Sequence, residues 1–311
     1  MRVLVAGATG VIGRQLVPLL TETGHDVVAL SRSRDRADVI DTDLVTVDAL
    51  DRSALSATVR RIAPDAIVHL LTAIPQHLDP RRFGDQMATT NRLRTEATGS
   101  LVAAAGSARL ITEGLAFAYR PNGGARADEH RSLWDDGPRP FRPVVKALRT
   151  AERLTGQVGG TVLRFGHLYG PGTPFAIDGA FVAQVRAGKL PIVGGGNAVF
   201  SFTHTRDAAT AVIAALDAGR PGPFNIVDDD PAPVRHWLPE LARLIDAPAP
   251  RRAPKLLARL GAGAWGVAYL TELVGADNGR ARRELEWRPS FPSWKDGFAR
   301  ELAPHGTSIA T

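Results

Sequence analysis

The chain has 311 residues, 44% of them hydrophobic, and no cysteine. That length supports a large buried core, and the missing cysteines exclude a disulfide framework and a thiolate metal site. The net charge of +6 is spread over short basic runs with no aromatic-interleaved stripe and no zinc-finger spacing, so mild attraction for anionic ligands is expected and nucleic-acid binding is not.

In chain order, short β-branched runs alternate with helical segments. RVLVAG (2–7), DVVAL (26–30), LVTV (44–47), AIVHLL (66–71), ARLIT (108–112) and TVLRF (161–165) read as buried strands, and PFNIVD (223–228) as a further one. Between the first of them lie the apolar-periodic stretches Val11–Leu20 and Ser53–Ile62. This alternation implies right-handed crossovers and a parallel, doubly wound α/β sheet covered by helices on both faces. The amino-terminal MRVLVAGATG lacks a signal-peptide pattern, which together with the absence of cysteine makes a cytoplasmic location the expectation. The longest apolar run, LLARLGAGAWGVAYLTELVG (256–275), is interrupted by Arg259 and Glu272. A bilayer span needs roughly 20 unbroken apolar residues, so a packed helix is expected and no membrane partner.

VLVAGATGVIGRQL sets Gly7, Gly10 and Gly13 between the first strand and the first helix. Gly7 suits a tight turn, Gly10 the close approach of a pyrophosphate, and Gly13 close helix–strand packing, with helix amides meeting phosphate charge. Thr9, Val11 and Ile12 belong to the same loop. The second strand ends at Ser31 and Arg32, with Arg34 beyond, where an acidic residue would favour NAD. A guanidinium there can pair with a 2′-phosphate, so NADP(H) is expected, with NAD as second choice. Asp48 and Leu50, beyond the third strand, are placed near the adenine, with Ala49 between them and Leu71, Thr72 and Ala73, at the end of the fourth strand, also among the cofactor contacts. The expected division is a dinucleotide-binding domain at 1–170 plus 201–228, a smaller discontinuous substrate lobe at 171–200 plus 229–300, and a tail at 301–311.

GATGVIG, VDALD, TTNRLRTEAT, LRFGHLYGPGT, FSFTHTRDAATAV and RRELEWRP together resemble the extended short-chain dehydrogenase/reductases, nearest the NAD-dependent epimerase/dehydratases that act on nucleotide sugars. The resemblance implies a Rossmann domain, a nicotinamide cofactor and a substrate lobe. It also implies a Tyr-x-x-x-Lys pair on one helix and a serine at the end of the fifth strand. In that scheme the tyrosine moves the hydroxyl proton, the lysine lowers its pKa and holds the ribose, and the serine positions the reacting oxygen.

The chain departs from this pattern. Its three tyrosines, Tyr119, Tyr169 and Tyr269, are followed four residues later by Gly123, Thr173 and Leu273. In FRPVVKALRTAERL (141–154), anchoring on Lys146 puts Arg142 at the tyrosine position, whereas anchoring on AERL puts Val144 and Leu148 at the two catalytic positions. The registers differ by two residues, about 200° around a helix, so they aim Lys146 in nearly opposite directions. Pro143 suits a first turn, which places the helix start near Arg142. Gly114 stands about where the serine belongs.

Replacement proton carriers are sought in Glu113, beside the missing serine, Tyr119, the nearby phenol, and His167, which titrates near neutral pH. Lys146 is carried as a ribose contact, and Arg142 and Tyr169 as substrate contacts. Trp134 and Phe141 are candidate pocket walls, His204 and Asp207 candidate lobe-junction residues, and no metal-ligand spacing is present. The leading function is an NADP(H)-binding enzyme, oxidoreductase or epimerase-like, that acts on a small molecule with a rebuilt proton relay. The alternatives are a non-redox isomerase, cyclase or lyase, and a nucleotide-sensing or scaffold protein without turnover. A homodimer is the expected assembly.

Overall fold

In the computed structural model, which describes residues 1–33, 42–121 and 126–302, seven parallel strands form one sheet. Their order is Gly222–Ile226, Thr161–Phe165, Arg109–Leu115, Ala66–His69, Arg2–Ala6, Asp26–Ser31, Asp43–Thr46. The central strands are buried along their whole length because helices cover both faces, which is why they read as unbroken apolar runs. The chain enters in the middle, walks outward to Asp43–Thr46, then restarts at Ala66–His69 and walks the other way. The reversal between the first and fourth strands opens a crease at their carboxyl ends, the place where open α/β sheets bind ligands.

One face of the sheet packs Val3, Val5 and Val68 under the helices Gly13–Glu22 and Thr205–Ala218 through Leu16, Leu20, Ala208, Val212 and Leu216. The other packs Leu4, Ala6, Val28 and Ile67 under Arg52–Ile62 and the helical stretch that ends at Thr98–Ala104. Asp51 caps Arg52–Ile62 by accepting from the Ala54 amide at 3.0 Å, so one orphan donor of the first turn is satisfied. A third cluster lies beyond the carboxyl edge. Phe200, Phe202, Trp237, Trp294 and Phe298 pack there with Val144, Val145 and Leu148 of the helix Arg142–Gln157.

Several boundaries move from their expected places. The first helix starts at Gly13, two residues after the expected Val11, because residues 7–12 form the turn. The fifth strand runs to Leu115, extended by pairing of Leu115 with Phe165. Glu301 and Leu302, expected in a tail, belong to the helix Trp294–Leu302, while 303–311 and Arg34 lie outside the described residues. The expected packed helix is divided: Lys255–Thr271 breaks at Gly263 (φ 67°, ψ −173°), with Trp265, Ala268 and Leu270 buried and Leu256, Leu257 and Leu260 exposed.

Candidate functional site

At the crease, main-chain geometry explains all three glycines. Gly7 has φ +95°, and a Cβ there would lie 2.9 Å from the Leu70 carbonyl, so the ends of the first and fourth strands meet only through glycine. A Cβ on Gly13 would collide with the Gly7 and Ala8 carbonyl oxygens. Gly10 is exposed, and a Cβ there would meet only the Gly7 oxygen, at 3.1 Å. The helix Gly13–Glu22 has no side-chain cap, and the Val11 and Ile12 amides at its start have no hydrogen-bond partner among the described residues. Open space over Gly10 and unclaimed donors at a helix start fit a dinucleotide pyrophosphate.

The sequence reading passed over Arg14. Its guanidinium lies against Gly172 (φ +77°), where any Cβ would strike Nη2. It has no ion-pair or hydrogen-bond partner among the described residues, in a first turn that carries no acidic residue. A cation at a helix amino end is unfavourable unless an anion sits there, so Arg14 is a further pyrophosphate candidate. The signal was available as a basic residue directly after the third glycine.

Along the rim, Ser31 is buried at the end of its strand and Arg32 is exposed beside it. Asp48 is exposed and accepts from the Leu50 amide at 2.9 Å, with Ala49 buried behind it. Leu71 and Ala73 are half-buried and Thr72 exposed, and the Ala73 amide donates to Thr90 Oγ1 at 3.0 Å.

The helix Arg142–Gln157 decides between the two registers. Val144 and Leu148 face inward, fully buried, whereas Lys146 is exposed on the outer face. There Lys146 joins Asp135, Arg149, Thr150 and Arg153 around a surface depression of about 380 Å³ that shares no residue with the crease. The expected Lys146 ribose contact is therefore corrected: two residues of register turn its side chain away. Arg142 is also exposed, and its Nε donates to the Gly137 carbonyl at 2.8 Å. That bond closes the Trp134–Gly137 turn.

The other expected side chains are engaged elsewhere. Both Glu113 carboxylate oxygens accept from Arg94, at 2.6 and 3.1 Å, in a pair buried under the fifth strand. Glu113 is thus buried and committed to a bidentate ion pair. Tyr119 is fully buried; it donates to Asn225 Oδ1 at 2.5 Å and accepts from Arg164 Nη1 at 2.8 Å. Burial pushes its phenol up to about 12, and Glu152 holds Arg164 by two bonds of 2.7 and 2.8 Å. This network ties three segments of the carboxyl edge together and is scaffold. Tyr169 is buried among Phe202, His204, Phe291 and Phe298, with its hydroxyl against Gly297, where a Cβ would overlap it. It anchors the last helix and is corrected from substrate contact to packing residue.

His167 stays at the edge, just past the sixth strand, in an aromatic box. Its ring stacks on Phe200 at 3.9 Å and Phe117 at 4.4 Å, with Tyr269 edge-on at 5.5 Å. Nδ1 donates to the Ser201 carbonyl at 3.1 Å, leaving Nε2 as a lone pair with no partner among the described residues. Burial drives its pKa down to about 3, so it is neutral near pH 7 and cannot serve as an acid there. The box continues through Tyr269 to Trp265, which stacks on Phe141 at 4.1 Å, with Phe83 and Trp134 alongside. Leu115, Phe117 and Tyr269 are its half-exposed members. Tyr269, whose phenol burial also pushes upward, was missed because it stands some 100 residues beyond His167 in sequence and meets it only through the lobe.

Comparison with known proteins matches this geometry to a family. The model of the NAD dependent epimerase/dehydratase family matches residues 3–111 and 144–227. A Streptomyces protein, 3-diazoavenalumate denitrifying reductase, is 46% identical over 309 residues, covering 97% of this chain and all of that protein. Human epimerase family protein SDR39U1 is 29% identical over 257 residues, 81% of this chain and 82% of that one. Its crystal structure with NADPH superposes with a TM-score of 0.74 at 24% identity, covering 97% of this chain and 99% of that one. The dTDP-glucose 4,6-dehydratase DesIV of Streptomyces venezuelae, solved with NAD, gives 0.76 at 22%, covering 97% and 96%. No described helix is long and apolar enough to cross a membrane.

Proposed function

This chain belongs to the NAD dependent epimerase/dehydratase family, and on that premise we propose that it is an NADPH-dependent reductase of a flat, conjugated small molecule bearing a diazo group. The supporting observation is the aromatic box around a neutral His167, in a chain 46% identical over its length to a denitrifying reductase of a diazo compound. The Val11 and Ile12 amides, with Arg14, would hold the pyrophosphate, and Arg32 the 2′-phosphate. A bound dinucleotide would supply the hydride for reductive loss of dinitrogen, the C–N bond of an arenediazonium being replaced by C–H.

That chemistry accounts for what the site lacks. Carbonyl reduction develops an alkoxide that needs a proton donor and oxyanion partners. Hydride addition to a diazonium neutralises a cation and creates no oxyanion. Val144 and Leu148, buried where a phenol and an ammonium would otherwise stand, then remove no needed group. Phe117 and Tyr269, the half-exposed rings, would offer π-surface or edges to a planar cation, with Phe200 and Trp265 packed behind them, and an uncharged imidazole does not repel it.

The test is NADPH oxidation at 340 nm, with dinitrogen and deaminated arene measured, on a diazotised aminocinnamate. Enzyme-free controls run beside it, with ketones and nucleotide sugars in parallel. Enzyme-dependent turnover confined to the diazonium is expected. Turnover of a nucleotide sugar with none of the diazonium would overturn the substrate assignment, and absence of nucleotide binding the whole reading.

A further inference from the structure

The helix Lys255–Thr271 has two halves with opposite surroundings. After the break at Gly263, Trp265 and Tyr269 line the aromatic wall. Before it, Leu256, Leu257 and Leu260 are 76%, 61% and 69% exposed, the three most exposed large apolar side chains among the described residues. At about 100° per residue, they share one arc of about 100°. Ala258 and Ala262, on the opposite arc, are half-buried, and Ala258 packs on the core. The leucines are therefore turned outward by the helix's own attachment.

Charge follows the same arc. Lys255 and Arg259 border the leucines on one side, Arg251 and Arg252 precede them, and all four are exposed. Residues 251–271 contain no Asp or Glu. The loop after the fourth strand extends this surface: Arg81 donates to the Leu260 carbonyl, and Ile74 and Leu78 are exposed on it. An apolar arc bordered by cations, with Asp79 the one carboxylate on the adjoining loop, suits the interface of an anionic bilayer, where leucines enter the acyl boundary and long cationic side chains reach the headgroups.

We infer that residues 251–262 dock this protein on an anionic lipid surface, lying in the interface without spanning it. A second copy is a poorer occupant, because two-fold pairing of this face would bring two sets of four cations together, and residues 251–271 hold no carboxylate to offset them. Docking leaves the second half of the helix free to hold Trp265 and Tyr269, with the Gly263 break as the boundary between the two tasks.

The experiment is co-sedimentation of the full chain with vesicles of phosphatidylcholine, with or without phosphatidylglycerol. Wild type is expected to sediment with the anionic vesicles only, and less as salt screens the charges. Replacing Leu256, Leu257 and Leu260 together by serine should lower binding about tenfold or more. Replacing Arg251, Arg252, Lys255 and Arg259 by glutamine should do the same. Unchanged melting temperatures for both variants would show that the fold is intact. Lack of binding to anionic vesicles, or binding that survives the leucine variant, overturns the inference. So does a wild-type dimer that binds no lipid and becomes monomeric in the leucine variant.

Discussion

The two sides of the crease obey different constraints. On the glycine side the main chain sets the limits, and a Cβ at Gly7 or Gly13 would enter a neighbouring carbonyl. On the far side the edge is built of side chains, with Val144, Leu148 and Phe141 buried and Phe117 half-buried, where the resemblance called for polar chemistry or left the residue open. Backbone geometry admits almost no substitution, whereas a side-chain apparatus can be exchanged for another without disturbing the fold. The family model matches 3–111 and resumes at 144, and the stretch between supplies Phe117, Trp134 and Phe141 to the rebuilt wall.

The largest test asks whether Glu113 is scaffold or chemistry. Glu113→Ala leaves the buried Arg94 uncompensated and should cost about 3–5 kcal/mol in denaturant unfolding. The double variant Arg94→Met, Glu113→Leu should recover most of that stability and retain turnover. A stable but inactive double variant would move Glu113 back among the catalytic residues.

Next in size is the acid response of the aromatic wall. His167 has a folded pKa near 3 against about 6.5 unfolded, so the unfolded chain binds the extra proton between these values. Its contribution is complete above about pH 6.5 and is lost as pH falls toward 3. Burial lowers His69 and His204 as well, and both add to the same slope. His167→Phe should remove its share, about 4 kcal/mol between pH 7 and pH 3. An unchanged slope would mean the ring is not held neutral in the box.

Smaller effects separate the rim from the outer face. Arg32→Ala should weaken NADPH about tenfold and leave NADH nearly unchanged, because only the 2′-phosphate distinguishes them. Equal losses would refute that pairing. Lys146→Ala should change nucleotide affinity and stability by less than about 0.5 kcal/mol, since its side chain faces solvent. A clear loss of NADPH binding in titration would contradict the register of the helix Arg142–Gln157.

Much of the fold was legible because its signals are local. Alternating strand and helix periods gave the seven-stranded sheet, and glycine spacing after the first strand located the crease. The tyrosine positions alone established that no Tyr-x-x-x-Lys pair exists. The site was less legible because its outcome depends on partners distant in sequence. Glu113 looked available until Arg94 came under the same strand, and Tyr119 until Asn225 and Arg164 took both sides of its hydroxyl. Tyr169 looked exposed to substrate until Gly297 brought the last helix against it.

By itself, then, the amino-acid sequence determined the parallel sheet, the glycine turn after the first strand and the absence of a Tyr-x-x-x-Lys pair, all of which follow from residue types at fixed short spacings. Only the tertiary structure decided which way Lys146 turns, that His167 is neutral between two phenyl rings, and that Leu256, Leu257 and Leu260 face outward. Helical phase and burial are settled by what packs against a residue, and those neighbours lie tens to hundreds of positions away along the chain.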